Sequence, residues 1–345
     1  MAVFGVGIIG SGPGVAALHL PTAARVEEAF RVVHVADGGS GRAVELANRL
    51  GARSSTGVGD LLLDDEVEVV VVAGPPHLHA EHVRAAVEAG KRGILCEKPL
   101  ALTHDDVDAV VDAAATAGTV LLVGTNHLFD PAWGYAKHHV AAGGRIRTIS
   151  ITASLPPNGR YHSLVSEPAP VLPVRPLPAL DDPRVAAAVV RQLVLGLVVH
   201  DLPLVRDLAP GEPEVVFARI VPPVGCAIGF RMGDVLVRIS ASLQPDGADA
   251  LWRMAVDTAT DSFEIDFPPS FVHGGSARAR SVGEGGTQTL HPRRPDDGYV
   301  LEWRAWGDAL TGQSAMDLDD IRADAHFAVS LADGAAAAVL AGVRG

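Results

Sequence analysis

The sequence predicts an α/β protein: a doubly wound parallel sheet first, then an α+β part whose sheet is open-faced and mostly antiparallel. Three observations lead there. The first 125 residues alternate short Val, Ile and Leu runs with amphipathic segments, the order expected of βαβ units. After Arg145 the pattern changes to longer runs that alternate apolar and polar residues, as strands with one solvated face do. At 345 residues with 48% hydrophobic content, the chain exceeds what one core usually serves. It therefore divides into domains at 1–128 and 129–345.

The strands expected in the first domain are Val3–Ile9, Arg31–Ala36, Val67–Ala73, Gly93–Cys96 and Thr119–Gly124. Their nearly continuous apolar content suits strands covered on both faces. A helix is marked from Thr103 to Gly118. Thr103 and Asp106 resemble a capping box, Val107, Val110, Val111 and Ala114 share one face, and Gly118 stops it. The second domain offers strands at Arg145–Leu155, Glu214–Val221, Asp234–Leu243, Leu251–Thr260 and Phe263–Phe267. A Pro-rich loop, Pro156–Pro183, and a helical stretch from about Arg184 to Leu208 interrupt them, and an Ala-rich helix, Leu318–Val343, follows.

Composition narrows the function. With 41 acidic against 28 basic residues and a net charge of −13, nucleic acid is not an expected partner, because that binding needs clustered Lys and Arg. Mean hydropathy is +0.24. The longest strongly apolar stretch, Val185–Val199, is interrupted by Arg191 and Gln192 and is expected to fall short of a membrane span. The N-terminus runs from Met1 into an apolar strand with no basic region before it, so the expected location is cytoplasmic. Cys96 and Cys226 are expected to be buried thiols. His77, His79 and His82 lie close together, but no Cys or carboxylate completes a ligand set, and no metal is expected.

Directly after the first strand comes Gly10-Ser11-Gly12-Pro13-Gly14-Val15, opening an apolar helix. Glycines let the backbone turn tightly and approach a pyrophosphate, whose charge the helix N-terminus receives. Val15 stands where the third glycine of the usual pattern falls. The second strand ends at Asp37, close to the offset at which a carboxylate meets the adenosine ribose. Its charge opposes a 2′-phosphate and favours NAD, while Ser40 and Arg42 just downstream leave NADP open. The alternative is an ordinary strand-to-helix turn whose Asp caps the next helix.

The fourth expected strand delivers Cys96-Glu97-Lys98-Pro99-Leu100 at its carboxyl end, and the chain holds only two other lysines, Lys91 and Lys137. A lysine beside a nicotinamide would exchange the proton that oxidation or reduction of a carbinol requires. An isolated Glu-Lys-Pro reads equally well as a surface lysine before a turn.

These residues resemble the glucose–fructose oxidoreductase, inositol dehydrogenase and rhizopine-catabolism (Gfo/Idh/MocA) family. The resemblance runs through Gly7-Ile8-Ile9-Gly10-Ser11-Gly12 with His19-Leu20-Pro21, Pro75-Pro76-His77-Leu78-His79, Ala89-Gly90-Lys91, the Glu97-Lys98-Pro99 segment and Gly124-Thr125-Asn126-His127. It covers the first 130 residues closely, and the rest more loosely through Tyr299-Val300-Leu301-Glu302-Trp303. It implies a Rossmann domain, NAD(P)-dependent oxidation or reduction of a small sugar, cyclitol or similar polyhydroxylated molecule, and a homodimer or homotetramer formed through the open sheet.

By that resemblance Lys98 is the catalytic lysine, and Pro75, His79, Glu97, Lys98 and Asn126 border the cofactor with Gly10, Gly12, Pro13, Gly14 and Asp37. His200 looks like the second catalytic group, in a motif that usually reads Asp-x-x-x-His with a further acid after it. Here Gly196 and Leu204 stand at the acid positions, and Asp201 is the nearest carboxylate. Such a departure also suits a catalytically silent dinucleotide-binding sensor of the same family. Tyr161 and His162 are candidate substrate contacts, and Trp303 and Trp306 are expected to pack rather than to stack on a sugar.

Overall fold

The computed structural model describes residues 3–157, 177–245, 248–269 and 272–342. Tyr161 and His162 lie outside them. The chain forms two compact units: unit 1 is Met1–Gly124 with Tyr299–His326, and unit 2 is Thr125–Gly298 with Phe327–Gly345.

In unit 1 the strands are β1 (Phe4–Ile9), β2 (Phe30–Asp37), β3 (Arg53–Thr56), β4 (Val69–Val72), β5 (Gly93–Glu97) and β6 (Val120–Gly124). All pair in parallel, in the order β3-β2-β1-β4-β5-β6. β1 and β4 are buried along their whole length, as their apolar runs require. The sequence reading did not include β3. It is an edge strand of Arg53-Ser54-Ser55-Thr56, mostly exposed, so no apolar run marks it. The helix expected after Thr103 forms as His104–Ala117, with the Thr103 hydroxyl accepting from Asp106 N and Gly118 ending it at φ 65°. Val107, Val110, Val111 and Ala114 face the core with Val70, Val72, Ile94 and Leu121.

Residues 299–326 belong to the compact unit that holds this sheet rather than to the second domain in which the 129–345 division placed them. Packing explains why. Trp303 and Trp306, on the helix Gly298–Leu310, are 2% and 0% exposed. Trp306 stacks on Phe30 at 5.1 Å, and Trp303 meets it edge-on at 5.3 Å. Further on, Arg322 donates to Asp108 and Asp112 on the His104–Ala117 helix. The tryptophans are thus core residues of unit 1.

Unit 2 holds β7 (Thr148–Leu155), β8 (Glu214–Ile220), β9 (Gly225–Met232), β10 (Val235–Leu243), β11 (Leu251–Asp257), β12 (Ser262–Phe267), β13 (Arg278–Val282) and β14 (Gln288–His291). Their order is β14-β13-β12-β11-β7-β10-β9-β8. β7 and β10 pair in parallel, and every other neighbouring pair is antiparallel. On β7, Ile149, Ile151, Ala153 and Leu155 are buried, while the alternate residues face the other side. That other face is polar: Arg253 grips Asp266 with two hydrogen bonds of 2.6 and 3.0 Å, and Arg280 donates to Glu264 at 2.6 Å. Helices cover the apolar face, Pro131–Ala142 against β12 and β13 and Pro183–Gly196 against β8 and β9.

The helical stretch expected over 184–208 is three pieces: Pro183–Gly196, a 3₁₀ turn Val198–His200, and Leu202–Leu208. One expectation is corrected here. Pro183–His200 and Leu318–Gly342 are each long and apolar enough, by length and composition alone, to cross a membrane. The interruption by Arg191 and Gln192 is too slight to disqualify the first. In this fold 44% of the first stretch and 39% of an 18-residue apolar part of the second are buried within the protein. Arg191 on the first pairs with Asp333 on the second at 2.7 Å. Cys96 and Cys226 are free and buried, and burial pushes the Cys226 thiol up to about 12.

Because Trp306 fills its site completely, Trp306→Ala is expected to lower the stability of unit 1 by about 3–5 kcal/mol. Urea denaturation followed by circular dichroism checks this, and a loss below about 1 kcal/mol would show that the Phe30 cluster is not the anchor described.

Candidate active site

In unit 1 the sequence-selected residues gather where the parallel strands end. Gly10 follows β1, Asp37 ends β2, Gly74 and Pro75 follow β4, Lys98 follows β5, and Gly124 ends β6. The strand order reverses between β1 and β4, which makes the carboxyl edge there the expected ligand crevice of an open α/β sheet. Gly10 has φ +127°, and a Cβ on it would lie 2.5 Å from the Ala73 carbonyl, so only glycine fits. A Cβ on Gly12 would meet no protein atom within 4 Å. The loop thus leaves open space over its backbone, the form a pyrophosphate cradle needs. Gly14 leads into a π-helical turn, Val15–His19, that continues as the helix Leu20–Arg25. Val15 and His19 are buried there, which accounts for the missing third glycine: that position packs inward.

Asp37 is the most heavily bonded carboxylate of this edge. It accepts from Ser11 Oγ at 2.6 Å, Gly39 N at 2.8 Å, Ala43 N at 3.2 Å and the Ser40 hydroxyl. Partial burial pushes its carboxyl up, but these donors outweigh it and hold the group down at about 2. Arg42 turns its Nε to the Ser11 carbonyl at 3.0 Å. Ser40 and Arg42, the two residues that left NADP open, are therefore both tied into the Asp37–Ser11 arrangement.

At the end of β5, Glu97 lies between two partners. His19 Nε2 is 3.0 Å from one oxygen, and the Lys98 backbone N–H donates to the other at 3.2 Å. Burial pushes the Glu97 carboxyl up, but the His19 bond and the neighbouring His19, Lys98 and His79 more than offset this, and it stays below the usual range. The Lys98 ammonium moves the other way: burial lowers it below the ordinary lysine range, against the opposing pull of Glu97. The Lys98–Pro99 peptide is cis. His79, 1% exposed, has Nδ1 at 2.8 Å from the Pro99 carbonyl and Nε2 at 2.9 Å from the Gly74 carbonyl. Each of these bonds needs an N–H, so the ring makes both only when both nitrogens carry a hydrogen. His79 thus ties the loop after β4 to the turn after β5, and both ring nitrogens are engaged. Lys91 is structural, donating to the Asp64 and Val67 carbonyls at 3.2 and 2.7 Å.

In unit 2, His200 and Asp201 sit at the end of the 3₁₀ turn, both buried. Their side chains meet Trp252 and His127 in different ways. Asp201, 0% exposed, accepts from Trp252 Nε1 at 2.7 Å and is 2.8 Å from His127 Nδ1. His200 lies edge-on to Trp252 at 5.3 Å and 5.4 Å from the His127 ring. Leu204, at the position of the expected later acid, is 0% exposed. Asn126 is buried, and its Oδ1 meets no donor among the described residues.

Comparison with known proteins gives these sites a family. A model of the oxidoreductase family with an NAD-binding Rossmann fold matches residues 4–125. The inositol 2-dehydrogenase 2 of Saccharopolyspora erythraea is 31% identical over 289 residues, which is 83% of this chain and 73% of that protein. The chain belongs to the Gfo/Idh/MocA oxidoreductase family. The myo-inositol 2-dehydrogenase of Thermotoga maritima is 28% identical over 233 residues, 67% of this chain and 62% of that protein. In fold, a solved UDP-N-acetylglucosamine 3-dehydrogenase from Acidithiobacillus ferrooxidans matches with a TM-score of 0.75, covering 98% of this chain and 100% of that one at 21% identity. The α/β architecture with its two sheets is therefore the fold of this Gfo/Idh/MocA member.

Two pairings were not visible in the sequence. His19 and Glu97 are separated by most of unit 1, and nothing local links them. Adjacency in sequence points Asp201 toward His200, yet neighbours in a helical turn do not face one another, and the Asp201 oxygens go to His127 and Trp252.

The depressed Asp37 group has a stability consequence. Its ordinary value is 3.8 and its folded value is about 2, so its contribution is fully present above pH 4 and is lost as the pH falls through about 2. Acid unfolding of the native protein and of Asp37→Asn should differ above pH 4 and converge toward pH 2. Parallel curves over that whole range would contradict the bonding described.

Proposed function

We propose that this chain is an NAD(P)-dependent dehydrogenase or reductase that acts on the CH–OH group of a cyclitol, sugar or similar small polyol, or on the corresponding ketone. The observation that carries the reading is Lys98, held at the carboxyl end of β5 beside Glu97, on the same sheet edge as the Gly10–Gly12 loop and Asp37. The similarity to inositol dehydrogenases supports the substrate class. Within unit 1, Gly10, Gly12, Pro13 and Gly14 would hold the pyrophosphate, Asp37 the adenosine ribose, and Pro75 and Glu97 the nicotinamide side. His79 receives a positioning part, since both its nitrogens are bonded to backbone carbonyls. Bound there, the dinucleotide supplies the two-electron redox chemistry.

Lys98 then exchanges a proton with the substrate oxygen. Burial lowers the ammonium, which enlarges the fraction that can accept a proton near neutral pH. A histidine of unit 2, for which the family pattern offers His200 with Asp201 beside it, carries a further proton. The protein is cytoplasmic in this reading, and it assembles as a homodimer or homotetramer through the polar face of the unit 2 sheet.

Asp37 makes NAD(H) the preferred dinucleotide, because its carboxylate repels a 2′-phosphate throughout the physiological pH range. Titration calorimetry should show tighter NAD(H) than NADP(H) binding, with Asp37→Ser narrowing or reversing the difference. Equal affinities in the native protein would refute the assignment.

Activity is tested by following nicotinamide absorbance over a panel of inositols and sugars. At least one should be turned over, and Lys98→Met should bind NAD(H) normally while lowering kcat by roughly 10²–10⁴. Undiminished kcat in Lys98→Met would move the proton elsewhere. Tight dinucleotide binding without turnover of any compound would instead support a sensor.

A further inference from the structure

Four aromatic and acidic side chains of unit 2, distant in sequence, form one arrangement. Asp201 is fully buried, and both its oxygens are engaged, one by Trp252 Nε1–H and the other by His127 Nδ1. An indole N–H only donates and an ionised carboxylate only accepts. The shared proton of the His127 contact therefore sits on Nδ1, and in the neutral ring Nε2 is the bare, basic nitrogen. The ring plane is fixed as well: His127 stacks on Phe267 at 3.6 Å and 7°, and meets Trp252 edge-on at 4.7 Å and 76°. A carboxylate behind Nδ1 holds a histidine in one tautomer and stabilises the imidazolium that forms when Nε2 takes a proton. Among the described residues no other atom is hydrogen-bonded to His127 Nε2.

We propose that His127, oriented by Asp201 and Trp252, is the proton-carrying histidine of unit 2, in the part that the family pattern would give to His200. Its step is an acid–base one. Nε2 takes up one proton to give the imidazolium and later releases it; only an N–H bond forms and breaks, and no electrons move. Asp201 and Trp252 are positioning residues, acting through the ring they hold. The charged and titratable groups facing His127 are Asp201, the neighbouring His200, and Asp130 on the same loop. Asp130 is bonded to Ala132 N and Ala277 N at 2.8 and 2.9 Å. Burial pushes the Asp130 carboxyl up, against the pull of those two N–H donors and of His127. This inference rests on the dehydrogenase reading for its biological use, but its geometry does not.

Two measurements decide it. The first is the nitrogen-15 spectrum of the histidine side chains of the full-length protein, assigned with His127→Gln. At alkaline pH His127 should show a protonated Nδ1 and a bare Nε2, and Asp201→Asn, whose amide can donate to Nδ1, should reverse them. The opposite tautomer in the native protein overturns the proposal, and this holds whether or not any substrate is found. The second is the pH profile of kcat in an assay where Lys98→Met has already lost turnover. His127→Gln and Asp201→Asn should each lower kcat about 100-fold or more, with KM within a few-fold, and change the shape of the pH profile. A native kcat and an unchanged pH profile in His127→Gln would overturn the assignment. Were the native protein to turn over nothing, the dehydrogenase reading and the carriage step would both fall, with the spectrum still reporting whether the dyad is formed.

Discussion

Strands buried on both faces have no room for polar side chains except where they end, and that constraint organises unit 1. β1 and β4 are apolar and buried throughout, so the carboxylates, the lysine and the glycine loop that chemistry needs are displaced to the carboxyl edge. The parallel arrangement brings all those ends to one side of the sheet. The reversal of strand order between β1 and β4 then opens the edge where Gly10 approaches Ala73 too closely for any side chain.

The electrostatics of that edge follow from how each charge is compensated. Asp37 is partly solvated and surrounded by four donors, so its negative charge persists far into acid. Glu97 is more enclosed, and its charge survives because His19 and the Lys98 backbone N–H both face it. Lys98 is enclosed as well, and burial lowers its ammonium against the opposing pull of Glu97. One sheet edge therefore keeps two carboxylates ionised while making one lysine easier to deprotonate, a division that suits dinucleotide binding on one side and proton exchange on the other.

Much of this was readable in the residues themselves. The Val- and Ile-rich strands of unit 1, the Thr103–Gly118 helix with its cap, and the Glu97-Lys98-Pro99 segment at a strand end all carry local signals that burial and capping reproduce. β3 was not readable, because an exposed edge strand has no apolar pattern. β9 was hidden by Gly225 and Gly229, which look like breaks; in the fold the Phe217 ring lies over Gly229 where a Cβ would clash at 2.2 Å. Chain order could not reveal that Trp303 and Trp306 join Phe30 in unit 1. Nor could adjacency show that Asp201 serves His127 and Trp252, since that pairing is made by the turn at Val198–His200 and by the register of β11.

The central claim is that the chain moves a hydride between a carbinol carbon and a nicotinamide. It is tested most directly by incubating the native protein with NAD and a cyclitol deuterated at each carbinol carbon, then reading the nicotinamide by proton NMR. The account predicts deuterium at a single face of nicotinamide carbon 4. Reduced dinucleotide free of deuterium, or no reduced dinucleotide with any labelled polyol despite saturating NAD binding, would contradict it.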